Sequence, residues 1–131
     1  MKKSLVIMLM VFLTSLSIQA QEKAVVSQDS IVFENTTHDY GTIVQGSDGT
    51  CVFNFTNKGK APIVLNDVKA SCGCTVPEWT RTPVVPKQKG TIKVTYNTNT
   101  VGAFTKSITV NSNAVNTPVV LIIKGVVTAK P

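Results

Sequence analysis

Cys51-Val52-Phe53-Asn54-Phe55-Thr56 sets Cys51, Phe53 and Phe55 on one side and Val52, Asn54 and Thr56 on the other. Alternation with period two is the mark of a half-buried β-strand. The run ends at Asn57-Lys58-Gly59-Lys60, a turn, because Asn and Gly accept positive φ. On the N-terminal side, Ile31 and Phe33 alternate with Val32 and Glu34. A short second piece surrounds Gly41, with Tyr40, Thr42 and Ile43 or Val44. On the C-terminal side, Ile63, Leu65 and Val68 start a strand that runs toward Cys72. Thr75 to Trp79 continues beyond it, and Pro83, Pro86 and Gly90 punctuate a loop. Ile92, Val94 and Tyr96 alternate again, as do Phe104, Lys106, Ile108 and Val110. The stem of Lys106 suits a place near an edge. Asn111-Ser112-Asn113 is a turn, and Val119 to Val127 is the last strand. Its core, Leu121-Ile122-Ile123, is continuously apolar, as in a strand from a sheet interior.

About seven short strands, with turn signals roughly every 8–12 residues, predict an all-β domain, an immunoglobulin-like β-sandwich. A closed barrel is the alternative. The Cys…Trp…Cys spacing of antibody domains is absent, so the expectation is Ig-like rather than Ig proper.

The N-terminus has a different character. Lys2 and Lys3, the apolar run Leu5 to Leu13, and Ser15, Ser17 and Ala20 form the three regions of a secretory signal peptide. The apolar run is shorter than the roughly 20 residues a membrane span needs, so the chain is not expected to be membrane-spanning. Cleavage after Ala20 leaves 131 − 20 = 111 residues, enough for one domain. The expected layout is a signal peptide over 1–20, a polar, frayed N-terminal segment over 21–29 and the sandwich over 30–128. The expected location is periplasmic or secreted. The run Ser15-Ile18-Gln19-Ala20-Gln21 resembles the signal ends of Bacteroidetes exported proteins.

Charge narrows the partners. The whole chain carries 13 − 7 = +6, and the part after Ala20 carries 11 − 7 = +4. The lysines are scattered, as Lys58/Lys60, Lys87/Lys89, Lys106, Lys124 and Lys130, with no basic run or aromatic-interleaved stripe. That distribution argues against nucleic acid and suits lysines on exposed strand faces. One histidine and seven acids offer no nucleophile–base–orienter set, so no enzyme is expected. Asp39, Asp67 and Glu78 read as solvated carboxylates. No phosphate-binding glycine loop precedes a helix, and no cofactor is implied.

The chemistry-bearing residues are Ser71-Cys72-Gly73-Cys74-Thr75. On a straight strand Cys72 and Cys74 share a face at roughly 6.6 Å between Cα atoms, near the upper limit for a disulfide. A bend at Gly73 brings them within range. Four readings stay open. They are a local Cys72–Cys74 disulfide, three buried packing thiols including Cys51, a bridge from Cys51 to one of the pair, and a Cys₃His metal set with His38. The redox activity of Cys72 and Cys74 is an expectation from their spacing. Trp79 reads as an inward aromatic packing over the sulfurs or as an exposed binding residue. Asp29-Ser30-Ile31 resembles the short O-glycosylation signal of Bacteroidetes exported proteins, with Ser30 as acceptor.

From about Phe33 to Val127 the chain resembles the bacterial domain of unknown function 1573 family. The carrying residues include His38-Asp39-Tyr40-Gly41-Thr42-Ile43, Phe53-Asn54-Phe55-Thr56-Asn57, Ser71-Cys72-Gly73-Cys74-Thr75 and Gly102, Phe104, Lys106 ending in Ser112-Asn113. Cys51 departs from that pattern. The resemblance implies a β-sandwich of the major sperm protein and pilus-chaperone superfamily, secreted or periplasmic, with no settled activity. Two function classes follow. The first is a non-enzymatic binding or structural module that takes a protein partner by strand-edge pairing. The second is a periplasmic thiol-redox or metal-handling protein that uses Cys72 and Cys74.

Overall fold

The computed structural model describes residues 30–131. The expected signal peptide and the segment 21–29 lie outside the described residues. Eight strands build two four-stranded sheets. They are β1 (Ile31–Phe33), β2 (Thr37–Val44), β3 (Thr50–Asn57), β4 (Leu65–Ala70), β5 (Thr75–Trp79), β6 (Lys89–Tyr96), β7 (Gly102–Ser112) and β8 (Val119–Thr128). One sheet has the order β1-β3-β6-β5, the other β2-β8-β7-β4. All neighbours are antiparallel except β2 and β8. The architecture is a β-sandwich, as expected, with one strand more than the sequence suggested.

The alternation explains the core. Cys51, Phe53 and Phe55 on β3 and Ile92, Val94 and Tyr96 on β6 are buried and face Val68, Ile108, Val110, Leu121, Ile123 and Val127 of the other sheet. Burying these side chains supplies the main driving force, about 1.5–3 kcal/mol for each large one. Phe104 of β7 stacks on Tyr96 of β6 at 3.8 Å between ring centroids, tying the sheets together. Gly90 pairs with Phe55, and the Phe55 ring lies where a Cβ at position 90 would stand, 2.2 Å away.

Four sequence expectations need correcting. Asn111-Ser112-Asn113 is not a turn throughout: Asn111 and Ser112 end β7, paired with Asp67 and Leu65 of β4. Ile63 does not begin a strand; it makes an isolated bridge to Val84, and β4 starts at Leu65. Thr75 to Trp79 does not extend β4. It pairs with β6 in the opposite sheet, because the chain crosses between sheets at Ser71–Cys74. Lys106 is not near an edge: β7 lies inside its sheet, and Lys106 is half-buried opposite Ile123. The continuously apolar Leu121-Ile122-Ile123 does lie in the sheet interior, since β8 sits between β2 and β7.

Asn57 knits one end of the sandwich. It is fully buried, and its Nδ2 donates to the carbonyls of Ala61 at 2.7 Å and Val84 at 2.8 Å. Its Oδ1 accepts from the Gly59 amide at 2.9 Å. Every polar atom of the side chain is used, which a buried amide requires.

Candidate functional site: the cysteine corner and the open sheet edge

Ser71–Thr75 forms the corner that links the two sheets. Cys72 and Cys74 are joined by a disulfide, with Cα atoms 5.3 Å apart. The chain turns here rather than running straight, which closes the separation expected of an extended strand. Gly73 lies at the exposed tip, with open space where a Cβ would stand. The corner is pinned on both sides by backbone bonds. Ser71 donates its amide to the Ser107 carbonyl at 2.8 Å, and its hydroxyl accepts the Ser107 amide at 3.1 Å. The Cys74 carbonyl accepts from the Asn97 amide at 2.8 Å. Thr75 is buried, and its hydroxyl oxygen lies 3.7 Å from the Cys72 sulfur and 3.9 Å from the Cys74 sulfur.

Cys51 stands apart as a free, buried thiol on β3. Its partner is the Tyr40 hydroxyl, whose one proton goes to the Gly49 carbonyl at 2.6 Å. Burial pushes the Cys51 thiol up, against the pull of the Tyr40 hydrogen bond. Burial, followed by the bond to Cys51, lifts Tyr40 well above the ordinary tyrosine range. His38 packs edge-on against Tyr40 at 4.5 Å. Among the described residues, no three His, Cys, Asp or Glu side chains converge as a metal site would require. Trp79 lies at the other end of β5 from the sulfurs, paired with Ile92, while Thr75 pairs with Tyr96. The Arg81 guanidinium covers its ring at 3.6 Å. Ser30 is half-buried, and its carbonyl accepts from the Lys58 amide at 2.9 Å.

The sheet edges differ in a way the sequence did not announce. On β1, bonds from Lys58 to Ser30 and from Glu34 to Asn54 turn the even-numbered backbone groups toward β3. Ile31 therefore faces outward, and Asn116 takes both its amide (3.0 Å) and its carbonyl (2.8 Å). On β5, bonds from Asn97 to Cys74 and from Thr80 to Thr91 turn the even-numbered groups toward β6. Outward donors should come from Thr75, Pro77 and Trp79. The Thr75 amide is bonded to the Cys72 carbonyl, and Pro77 has no N–H, so only Trp79 can donate. β4, the other edge strand of the sheet that holds β2, turns the Val68 and Ala70 amides outward, and no partner meets them among the described residues.

The outer edge of β2 is different. The Ile122 amide donates to the Thr36 carbonyl, so Thr37 and Asp39 face outward. Beyond the bulge at Gly41, the Gln45 amide donates to Thr128, so Thr42 and Val44 face outward. Their amides have no partner among the described residues. At the bulge, Gly41 adopts φ +66°, and its amide is held by the Asp39 carboxylate at 2.8 Å. Beside it opens a groove of about 390 Å³, lined among others by Asp39, Thr42, Phe104, Gly125 and Val126.

A family model for a protein of unknown function, DUF1573, matches residues 31–127. The chain belongs to the DUF1573 family. Its fold is also similar to solved structures. A protein of unknown function from Porphyromonas gingivalis W83 matches with TM-score 0.65 and 16% identity, over 79% of this chain and 50% of that one. The chain thus spans half the length of that relative. The ASH / PapD-like domain 7 of human CEP192 matches with TM-score 0.65 and 8% identity, over 80% of this chain and 89% of that domain. WR4, a C. elegans MSP family member, matches with TM-score 0.51 and 14% identity, over 78% and 99%. At these identities the likeness is one of fold. No curated protein matches the chain. Among the described residues, no helix is long and apolar enough to cross a membrane.

Proposed function

We propose that this DUF1573 chain is an exported, non-enzymatic module that binds an extended segment of a partner protein along the outer edge of β2. The observation that carries the reading is the contrast between edges. Asn116 closes part of β1, and Pro77 with the bonded Thr75 amide blunts β5, yet among the described residues β2 keeps a row of four outward amides, at Thr37, Asp39, Thr42 and Val44, a longer row than the Val68 and Ala70 pair of β4. Natural sheets normally blunt exposed edges, so an edge left open beside two protected ones suits strand addition. The groove at the Gly41 bulge offers a recess for one partner side chain. Export rests on the signal-like residues 1–20.

A photoreactive amino acid at Asp39 or Val44, compared with one at Val32 or Val76, tests this in cells of the native host. A discrete adduct is expected from the β2 positions alone. It should vanish with Thr42→Pro, which removes one outward amide without touching the β8 ladder. Equal adducts from all four positions, or none from β2, would overturn the reading.

A further inference from the structure

We infer that Cys72, Cys74 and Thr75 form a reversible dithiol–disulfide site for small thiols, with Thr75 as the hydroxyl that stabilises the released thiolate. This goes beyond partner binding and does not depend on it. Three observations carry it. First, the bridge is locally redundant. The corner is held by Ser71 to β7 and by the Cys74 carbonyl to Asn97, so breaking the S–S bond leaves both ends of the loop anchored. Anchored ends keep the two sulfurs close and ready to re-form the bond. A bridge between residues only two apart in sequence also removes little entropy from the unfolded chain, so its value to the fold is small. Second, the site is reachable. Both cysteines are half-buried under an exposed Gly73 whose side-chain direction is empty. Third, the Thr75 hydroxyl is buried and within sulfur hydrogen-bond reach of both sulfurs.

The chemistry balances with a small thiol as co-reactant. Its thiolate attacks one protein sulfur, the Cys72–Cys74 bond breaks, and the other sulfur leaves as a thiolate that accepts the Thr75 hydroxyl proton in a hydrogen bond. A second small thiolate attacks the mixed disulfide and frees the first protein sulfur. Two electrons pass to the protein, the two thiol protons end on its sulfurs, and one small-molecule disulfide is released. Because the hydroxyl serves either sulfur, either can be the leaving group. A hydroxyl donor favours the thiolate over the thiol, so it eases reduction and lowers the pH at which the pair reacts.

The test uses the folded protein after removal of residues 1–20, equilibrated with mixtures of reduced and oxidised glutathione. Free thiols are trapped by alkylation and counted by intact mass. Wild type is expected to gain two native-state thiols at glutathione ratios that leave ordinary structural disulfides oxidised. Cys51 should react only after unfolding. Thr75→Val, close in shape, is expected to need at least a threefold higher ratio of reduced glutathione squared to oxidised glutathione. Its alkylation rate should rise with pH at a higher midpoint, and Thr75→Ser should restore both. If Thr75→Val does not fold, the Thr75→Ser variant and the wild-type pH profile carry the test. A thiol midpoint no lower than that of free cysteine then counts against the site. A pair that stays oxidised under excess reduced glutathione would overturn it, as would identical behaviour of Thr75→Val and wild type.

Discussion

Lys87 shows how a single residue can be held in a conformation that its side chain opposes. It has φ +70°, in a turn with Pro86 before it and a bond from the Gln88 amide to the Val85 carbonyl. An L-residue there costs about 1–2 kcal/mol, while glycine's extra freedom in the unfolded chain returns roughly 0.5–1 kcal/mol of that. Lys87→Gly is therefore expected to stabilise by up to ~1 kcal/mol in urea unfolding, and Lys87→Val to destabilise. No gain from glycine and no loss from valine would mean that the turn relaxes freely. Tyr40 and Cys51 give a second prediction. Both hold their protons more tightly in the folded state, so their contribution is full below their ordinary values of 10.0 and 9.0 and is lost as pH rises through the folded-state values. The melting temperature should fall above about pH 9. Tyr40→Phe should flatten that decline and cost about 1 kcal/mol at pH 7, because it removes one of the two hydrogen bonds to the Gly49 carbonyl, the Tyr96 amide keeping the other. An unchanged alkaline slope in Tyr40→Phe would assign the decline to other groups.

Single elements were readable wherever the period of two was clean. β3 and β6 follow directly from Phe53/Phe55 and Ile92/Val94, because alternation reports burial on one face, while β8 follows from the continuously apolar Leu121-Ile122-Ile123. Sheet membership was not readable. The pattern on either side of Cys72–Cys74 looks like one interrupted strand, yet β4 and β5 belong to opposite sheets. Alternation has no term for a corner. The edge protection was equally hidden, since Asn116 acts on Ile31 across 85 residues and nothing local marks it. Pro77 is an edge signal, yet the pattern alone places it in a strand that continues from Val68 past the cysteines. Thr75 was visible within the pentapeptide, but its hydroxyl became informative only once both sulfurs were placed beside it. Asn116→Ala should remove both bonds to Ile31. The bonds are partly buried beside an exposed Asn116, so water replaces them in part and the stability cost is about 1 kcal/mol. The larger effect is expected in association, because β1 would then present its outward groups to other molecules. Sedimentation should show concentration-dependent self-association absent from wild type. A strictly monomeric Asn116→Ala would mean that the short length of β1 is protection enough.

Across the whole molecule, the question is what keeps the two sheets together. The disulfide is the only covalent link beyond the backbone among the described residues, but it closes a loop of three residues within one corner. Loop-closure entropy for so short a loop is worth only about 1.6 kcal/mol. The packed interface is far larger: Ile92, Ile108, Leu121 and Ile123 are all fully buried between the sheets. Removing one such side chain costs roughly 2–5 kcal/mol, through lost burial and the cavity left behind. The core therefore outweighs the bridge. Cys72→Ser/Cys74→Ser is expected to fold, with the same denaturant slope as wild type and a loss of no more than ~2 kcal/mol. Ile123→Ala should lose more than the double serine variant. The two losses should add when combined, because β8 and the corner share no contact in the ladder. If the double serine variant matched or exceeded Ile123→Ala, the corner would be holding the sandwich closed. A disulfide that can be opened without unfolding the sandwich is also the condition that reversible thiol chemistry at this corner requires.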